Sequence, residues 1–377
     1  MQSAFIYSKE FSEYRLSENH PYDPVRGEKV YELMQRYGLL NETGMRVEAP
    51  RPVSLDELAL VHSPHFLELL REASRGEFFL GMIEYGIGTE DCPVFSGLID
   101  FVGLCTGATV RAVELVADEG HDFAFNPLGG FHHAGRAMAE GFCYVNDIAL
   151  VARRLADSGR RVAVVDIDAH HGNGTQDIFY HDPRVLTISL HESGETLYPW
   201  GGAYTETGED DGKGFNVNVP LPAKSDDEIF TFAFNEVVPP LLKAFAPDVV
   251  LGIMGVDTFS TDPLTNLQMT NNAYVEAAKV INKLSPRWVA LGAGGYNMDN
   301  VARAWTLLWA AVHGLERGDD STLTLGGVFM GESDLGLAGL RDMNVRTSGP
   351  EKTATLEAVE QAVEYVQETV FPVLGAG

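Results

Sequence analysis

Short apolar runs rich in β-branched residues recur along the chain, with longer stretches between them whose apolar residues fall three and four apart. The runs Ala4–Tyr7, Phe123–Asn126, Val162–Asp166, Val185–Leu190, Val249–Met254 and Trp288–Leu291 predict strands. Their near-continuous apolar character predicts burial on both faces. Helices are predicted over Arg26–Tyr37, Phe95–Ala117, Asn146–Asp157, Asp227–Phe245, Asn271–Leu284 and Val301–His313. This alternation predicts an α/β fold with a central, mostly parallel sheet in three layers. Leu356, Val359, Val363, Val366 and Val370 share one helical face and predict a helix over 354–370 that packs on the rest. No repeat or Pro/Ser-rich linker interrupts the pattern, so residues 1–377 read as a single domain.

Ligands bind at the carboxyl ends of strands in such sheets, and the polar clusters follow that rule. His132 and His133 come after Phe123–Asn126. Asp166, Asp168 and His170 lie at and past the end of Val162–Asp166. Asp257 follows Val249–Met254, and Gly294, Gly295 and Tyr296 follow Trp288–Leu291.

Composition narrows the function classes. Apolar residues make up 45% and charged residues 21%, which suits a folded chain. Acidic residues outnumber basic ones, 54 to 27, for a net charge of -27. Such a chain is repelled by nucleic-acid phosphates and anionic membranes and attracts cationic partners. The three cysteines, Cys92, Cys105 and Cys143, form no CxxC pair, which fits a reducing compartment. With no signal-peptide pattern and no apolar run of spanning length, a cytoplasmic location is expected.

In VVDIDAHHGNG (Val164–Gly174), Asp166, Asp168 and His170 lie two apart and share a side while the chain stays extended. Two carboxylates and an imidazole there suit a metal. The paired histidines of GGFHHAGRAMAEGFCY (Gly129–Tyr144) can serve as acid–base groups or as ligands. Asp257, behind an apolar strand, needs a partner for its charge. In LGAGGYN (Leu291–Asn297) the glycines bring Tyr296 and backbone amides close to the cleft, where a phenol can stabilise an oxyanion.

Together these segments resemble the histone deacetylase family and the bacterial acetoin-utilisation deacetylases within it. The resemblance runs from about Ala4 to about Gly314. It includes NHPYDP with Arg26, EDCP, GGFHHA, EGFCYVND, DIDAHHGNGTQ, ISLH, GKGFNVNVP, GVDT and LGAGGY, in the family's order.

The resemblance implies an arginase-like α/β fold and hydrolysis of an acetylated amine. It assigns Asp168, His170 and Asp257 to a zinc ion, with iron(II) an alternative for the same ligands. His133 becomes general base and then acid, His132 its electrostatic partner, Asp166 the support of His132, and Asn173 the support of His133. Tyr296 would bond the acyl oxygen. Gly141, Phe142 and Tyr198 would sheathe the substrate stem, with Leu264 and Gly294 beside it. Asp91 would hold the substrate backbone at the rim, and Arg26 would line an internal cavity for acetate exit. One potassium ion is implied at Asp166, Asp168, His170, Ser189 and Leu190. A second is implied at Phe179, Asp182, Val185 and Phe215.

Three positions depart from common family residues. Val256 stands where alanine is common. Tyr198 replaces a frequent phenylalanine. Asn173, Asp in some relatives, gives His133 less negative backing. The expected substrate is an acetylated protein or peptide, such as an acetylated acyl-CoA synthetase. Acetylpolyamines, a catalytically silent acyl-lysine binding module and a two-metal ureohydrolase on the same fold are the other readings.

Overall fold

The computed structural model describes residues 1–285, 287–316 and 336–376. The part of the expected 1–377 domain at 317–335 lies outside the described residues. Eight strands form one sheet: β1 Ser3–Ile6, β2 Met45–Glu48, β3 Phe123–Asn126, β4 Val162–Asp166, β5 Val185–Glu192, β6 Asn216–Leu221, β7 Val249–Ile253 and β8 Trp288–Leu291. The order is β2-β1-β3-β8-β7-β4-β5-β6. Every pairing is parallel.

All six strands expected from the apolar runs are present, within two residues of their expected ends. Two more emerge at the sheet's edges. β2 reads Met-Arg-Val-Glu and is half-exposed, so burial left no apolar run to detect. β6 alternates asparagine with valine yet is largely buried. Its Asn216 and Asn218 amides both donate to the Gln176 Oε1 atom at 2.7 Å, which satisfies them inside.

The helices are α1 Arg26–Arg36, α2 Leu55–Leu58, α3 Pro64–Ser74, α4 Leu98–Ala117, α5 Asp147–Asp157, α6 Asn173–Phe179, α7 Asp227–Phe245, α8 Asn271–Leu284, α9 Met298–Val312, α10 Gly349–Thr369 and α11 Phe371–Leu374. One file runs α1–α9–α8–α7–α10 and another α3–α4–α5–α6, flanking the sheet. Helix α4 starts at Leu98 rather than Phe95 because Gly97 takes the left-handed conformation, φ 83°. Helix α9 starts three residues early, since the Asn297 side chain accepts from the amides of Asp299 and Asn300. Of the expected C-terminal face, Val359, Val363, Val366 and Val370 are buried and Leu356 is half-buried, and α10 meets α7 and β6.

Packing behind the strand ends is specific. The Met254 carbonyl, one step past β7, accepts from the Tyr274 hydroxyl and the Trp305 indole, each at 3.0 Å. Helices α8 and α9 thereby fix the segment that leads to Asp257. All three cysteines are free and buried. Among the described residues, no helix is long and apolar enough to cross a membrane.

Candidate active site

Strands β3, β8, β7 and β4 are neighbours and parallel, so their carboxyl ends open on one edge. Asp168, His170 and Asp257 converge there, with one ligand atom from each within 4.8 Å of the others. His170 Nδ1 lies 3.2 Å from Asp168 Oδ1 and 2.9 Å from Asp257 Oδ2. All three residues are buried. Two buried carboxylates facing one imidazole form a donor set that a divalent cation neutralises, so the residues fit a metal.

The surrounding backbone is shaped for these ligands. Gly294 N donates to Asp168 Oδ2 at 2.7 Å, and Ala169 N to Asp257 Oδ1 at 3.0 Å. A Cβ at Gly294 would fall 2.2 Å from Asp257 Oδ2, so only glycine fits.

Burial opposes charging of His170, but hydrogen bonds to Asp168 and Asp257 outweigh it and push its pKa up to about 10. Burial, and then the Asp168 charge, raises Asp257. Metal must therefore displace the His170 proton. Lower pH favours that proton, so apparent affinity for a divalent metal such as zinc should drop at least about tenfold per pH unit from 8 to 6. Chelator competition at the two pH values checks this. A pH-independent affinity would contradict it.

The alternation Asp166–Asp168–His170 does not survive in three dimensions, because β4 ends at Asp166. The chain then curls: Asp168 N donates to Asp166 Oδ1 at 3.0 Å and His170 N to Asp168 Oδ1 at 2.8 Å. Asp166 turns to His132, with its Oδ2 2.7 Å from Nδ1. Burial disfavours the His132 imidazolium, yet the Asp166 and Asp168 charges raise its pKa to about 9. His133 Nδ1 instead meets Asn173 Oδ1 at 2.7 Å. Burial, reinforced by the charges of His132 and His170, holds His133 well below the usual imidazole range. One histidine is thus kept charged and its neighbour, 4.2 Å away between ring centroids, is kept neutral.

Aromatic rings flank the ligands. Phe142 stands edge-on to Tyr296 at 5.6 Å. Tyr198 faces His133 at 5.2 Å and His170 at 6.4 Å. Phe142 holds φ 68°, a strained conformation for a bulky residue. Before it, Gly141 leaves no room for a Cβ, which would meet the His133 ring at 2.3 Å. Burial, then Asp257 and Asp168, raises Tyr296 well above its ordinary value, so the phenol keeps its proton to donate. Asp91 is exposed, and its carbonyl pairs with His20 Nε2 at 3.1 Å. The His20 ring abuts Phe142, which sets Asp91 beside this wall.

Arg26 is wholly buried. Its guanidinium donates to the carbonyls of Ala293 and Gly295, both at 2.8 Å. A small cavity at the site is lined by Tyr22, Phe131, Cys143 and Ala293 together with His132, His133, Asp168 and Tyr296. The Arg26 guanidinium lies over the ring of Tyr22, one of these lining residues, at 4.2 Å. Its work here is to clamp the Gly-rich turn that carries Tyr296.

A model of the histone deacetylase domain matches residues 20–312. The chain belongs to the histone deacetylase family. It is 35% identical over 326 residues to the acetoin utilization protein AcuC of Bacillus subtilis, covering 84% of each chain. It is 34% identical to histone deacetylase 9 of Arabidopsis thaliana, over 81% of this chain and 71% of that one. Among solved structures, an HDAC homologue complexed with SAHA superposes with a TM-score of 0.83 at 30% identity, covering 96% of this chain and all of the other. An HDAC homologue from Aquifex aeolicus gives 0.82 at the same identity. The fold is that of these deacetylases, and deacetylation is the activity the likeness supports.

Two aspartates that the sequence reading left unassigned also hold this deacetylase site. Asp147, buried at the start of α5, accepts from the amides of Gly130 and Phe131 and from Thr109, which fixes the turn ahead of His132. Asp262 Oδ2 accepts from Tyr296 N at 2.7 Å while its Oδ1 accepts from Leu264 N at 3.0 Å. Asp147 lies within EGFCYVND and Asp262 four residues past GVDT, where an aspartate has no periodicity to mark it.

The residues of the first expected potassium site are gathered: Ser189 pairs in register with Asp166 across β4 and β5, with Asp168 and His170 just beyond. Those of the second lie at the far end of β5. There the Asp182 carboxylate is paired with Arg153 and Arg184, and the Phe215 carbonyl accepts from Thr187 N.

Proposed function

We propose that this deacetylase is zinc-dependent and removes acetyl groups from lysine side chains of proteins, with an acetylated acyl-CoA synthetase as the expected type of substrate. The observation that carries this reading is a metal-ligand triad set between aromatic walls, beside two histidines of which one is backed by Asp166 and the other by Asn173. Such walls suit a thin, uncharged acyl-lysine stem. Potassium is proposed at the two sites named above, as a structural ion.

Asp168, His170 and Asp257 would hold the zinc ion, which when bound would supply Lewis acidity for the acyl carbonyl and lower the pKa of water toward about 7. His133, neutral, takes the proton from attacking water and passes it to the departing lysine amine. His132, charged and paired with Asp166, stabilises negative charge as it develops beside it. The Tyr296 hydroxyl donates to the oxygen on which that charge collects.

Turnover of acetyl-lysine peptides, acetylated proteins and acetylspermidine by the zinc-loaded enzyme tests the reading. Preference for acetylspermidine would overturn the protein substrate. Tyr296→Phe should lower kcat by about 10²–10³-fold, the usual loss for one oxyanion donor, with zinc content unchanged. Near-full activity would remove Tyr296 from its role.

A further inference from the structure

We propose that Glu140 is a positioning residue that sets the tautomer of His133 through the side chain of Asn173. This rests on the reading of His133 as the general base. His133 Nδ1 faces Asn173 Oδ1 at 2.7 Å, and Asn173 Nδ2 donates to Glu140 Oε1 in a short hydrogen bond. These are the only two side-chain partners of Asn173 among the described residues.

A carboxamide offers a donor at one end and an acceptor at the other. By itself, Asn173 can turn either end to the imidazole. An ionised carboxylate only accepts. Glu140 therefore takes the NH₂ end and leaves the oxygen for His133. That oxygen requires a hydrogen on Nδ1. A neutral imidazole carries one N–H, so the Nε2 lone pair is left free to receive a proton. An aspartate in place of Asn173 would impose this tautomer directly. Here the carboxylate stands one residue further out.

Both ends of the relay are anchored. Glu140 and Cys143 exchange backbone hydrogen bonds of 3.1 and 2.9 Å across Gly141 and Phe142. Both intervening residues have positive φ, 53° and 68°, as in a type I′ turn. The turn that makes Phe142 a wall thus also aims Glu140. Asn173 opens α6, which approaches so closely that a Cβ on Gly174 would fall 2.3 Å from the His133 carbonyl. Asp177, on the next turn of α6, and Tyr198 also feel the Glu140 charge.

The test compares Glu140→Ala, Glu140→Gln, Asn173→Asp and the double variant Glu140→Ala/Asn173→Asp, all zinc-loaded. Histidine-selective ¹⁵N NMR reads the His133 tautomer, and steady-state kinetics on an acetyl-lysine peptide reads kcat and KM. Wild type should show hydrogen on Nδ1, and Glu140→Ala a mixture of tautomers. Its kcat should fall about 10–100-fold, the usual loss for an outer supporting partner, with KM little changed. Glu140→Gln, which can still offer an acceptor, should fall between. Asn173→Asp alone should be harmful because two carboxylates then face each other, whereas the double variant should regain most of the lost kcat.

An unchanged tautomer in Glu140→Ala, failure of the double variant to recover, or an effect confined to KM would overturn the proposal. A tautomer change in an enzyme that deacetylates nothing would leave the relay standing and sink the deacetylase reading. An active enzyme with an unmoved tautomer would do the reverse.

Discussion

Asp257→Asn should abolish tight zinc binding and lower deacetylation by about 10³-fold or more. Asparagine preserves the shape of the side chain and an acceptor for Ala169 N, which bonds Asp257 Oδ1 at 3.0 Å. Folding is thereby spared. The negative charge is lost, and with it half of the carboxylate pair facing His170. A bound Lewis acid contributes several kcal/mol to such a reaction, and about 1.4 kcal/mol corresponds to tenfold in rate. Thermal melts separate binding from activity. Zinc should raise the Tm of wild type, because it binds only the native state, and leave the variant's Tm unmoved. A zinc-dependent rise of equal size in the variant would remove Asp257 from the ligand set.

His133→Ala should lower kcat by about 10²–10⁴-fold, the range that general acid–base catalysis contributes, while the zinc-induced rise in Tm stays at its wild-type size. The pH profile sharpens this. Burial, His132 and His170 hold the His133 pKa well below the ordinary value of 6.5. A base works only when unprotonated. With zinc kept saturating, wild-type activity should therefore stay level as pH falls from 8 to 6.5 and decline only below that range. The variant should lose this acid limb. A variant within tenfold of wild type would show that another group takes the proton.

The centre of the molecule was legible from its apolar runs, because β3, β4, β7 and β8 are buried on both faces and carry almost nothing polar. Their shared direction follows from the strand–helix alternation, and it placed His132, His133, Asp168, His170, Asp257 and Tyr296 along one edge. The edges were not legible. In β6 the amides of Asn216 and Asn218 are satisfied by Gln176, and a pattern of residue types records polarity without recording partners. Spacing also misread Asp166, since it assumes an extended chain and the backbone curls immediately after that residue. It is the resemblance that turned Asp166 toward His132. Asp147, Asp262 and Glu140 act through hydrogen bonds to distant backbone or side chains, and no local pattern announces them. Arg26 was marked by its motif, but its grip on Ala293 and Gly295 spans most of the chain and is visible only in the fold.

The place of β8 in the sheet ties the site to the order of synthesis. β8 is the last described strand to be made, yet it lies between β3 and β7. Until Trp288–Leu291 is made, the pairings open to the earlier strands are β2-β1-β3 and β7-β4-β5-β6, which leave β3 and β7 each without a neighbour on one side. Such edges invite pairing with other chains. His132 and His133 follow β3, on one sheet, while Asp168, His170 and Asp257 follow strands of the other. In the finished sheet β8 is what joins the two groups, and Arg26 bonds to residues that come just after it. All three ligands and both histidines thus precede, in the order of synthesis, the strand that brings them to one edge.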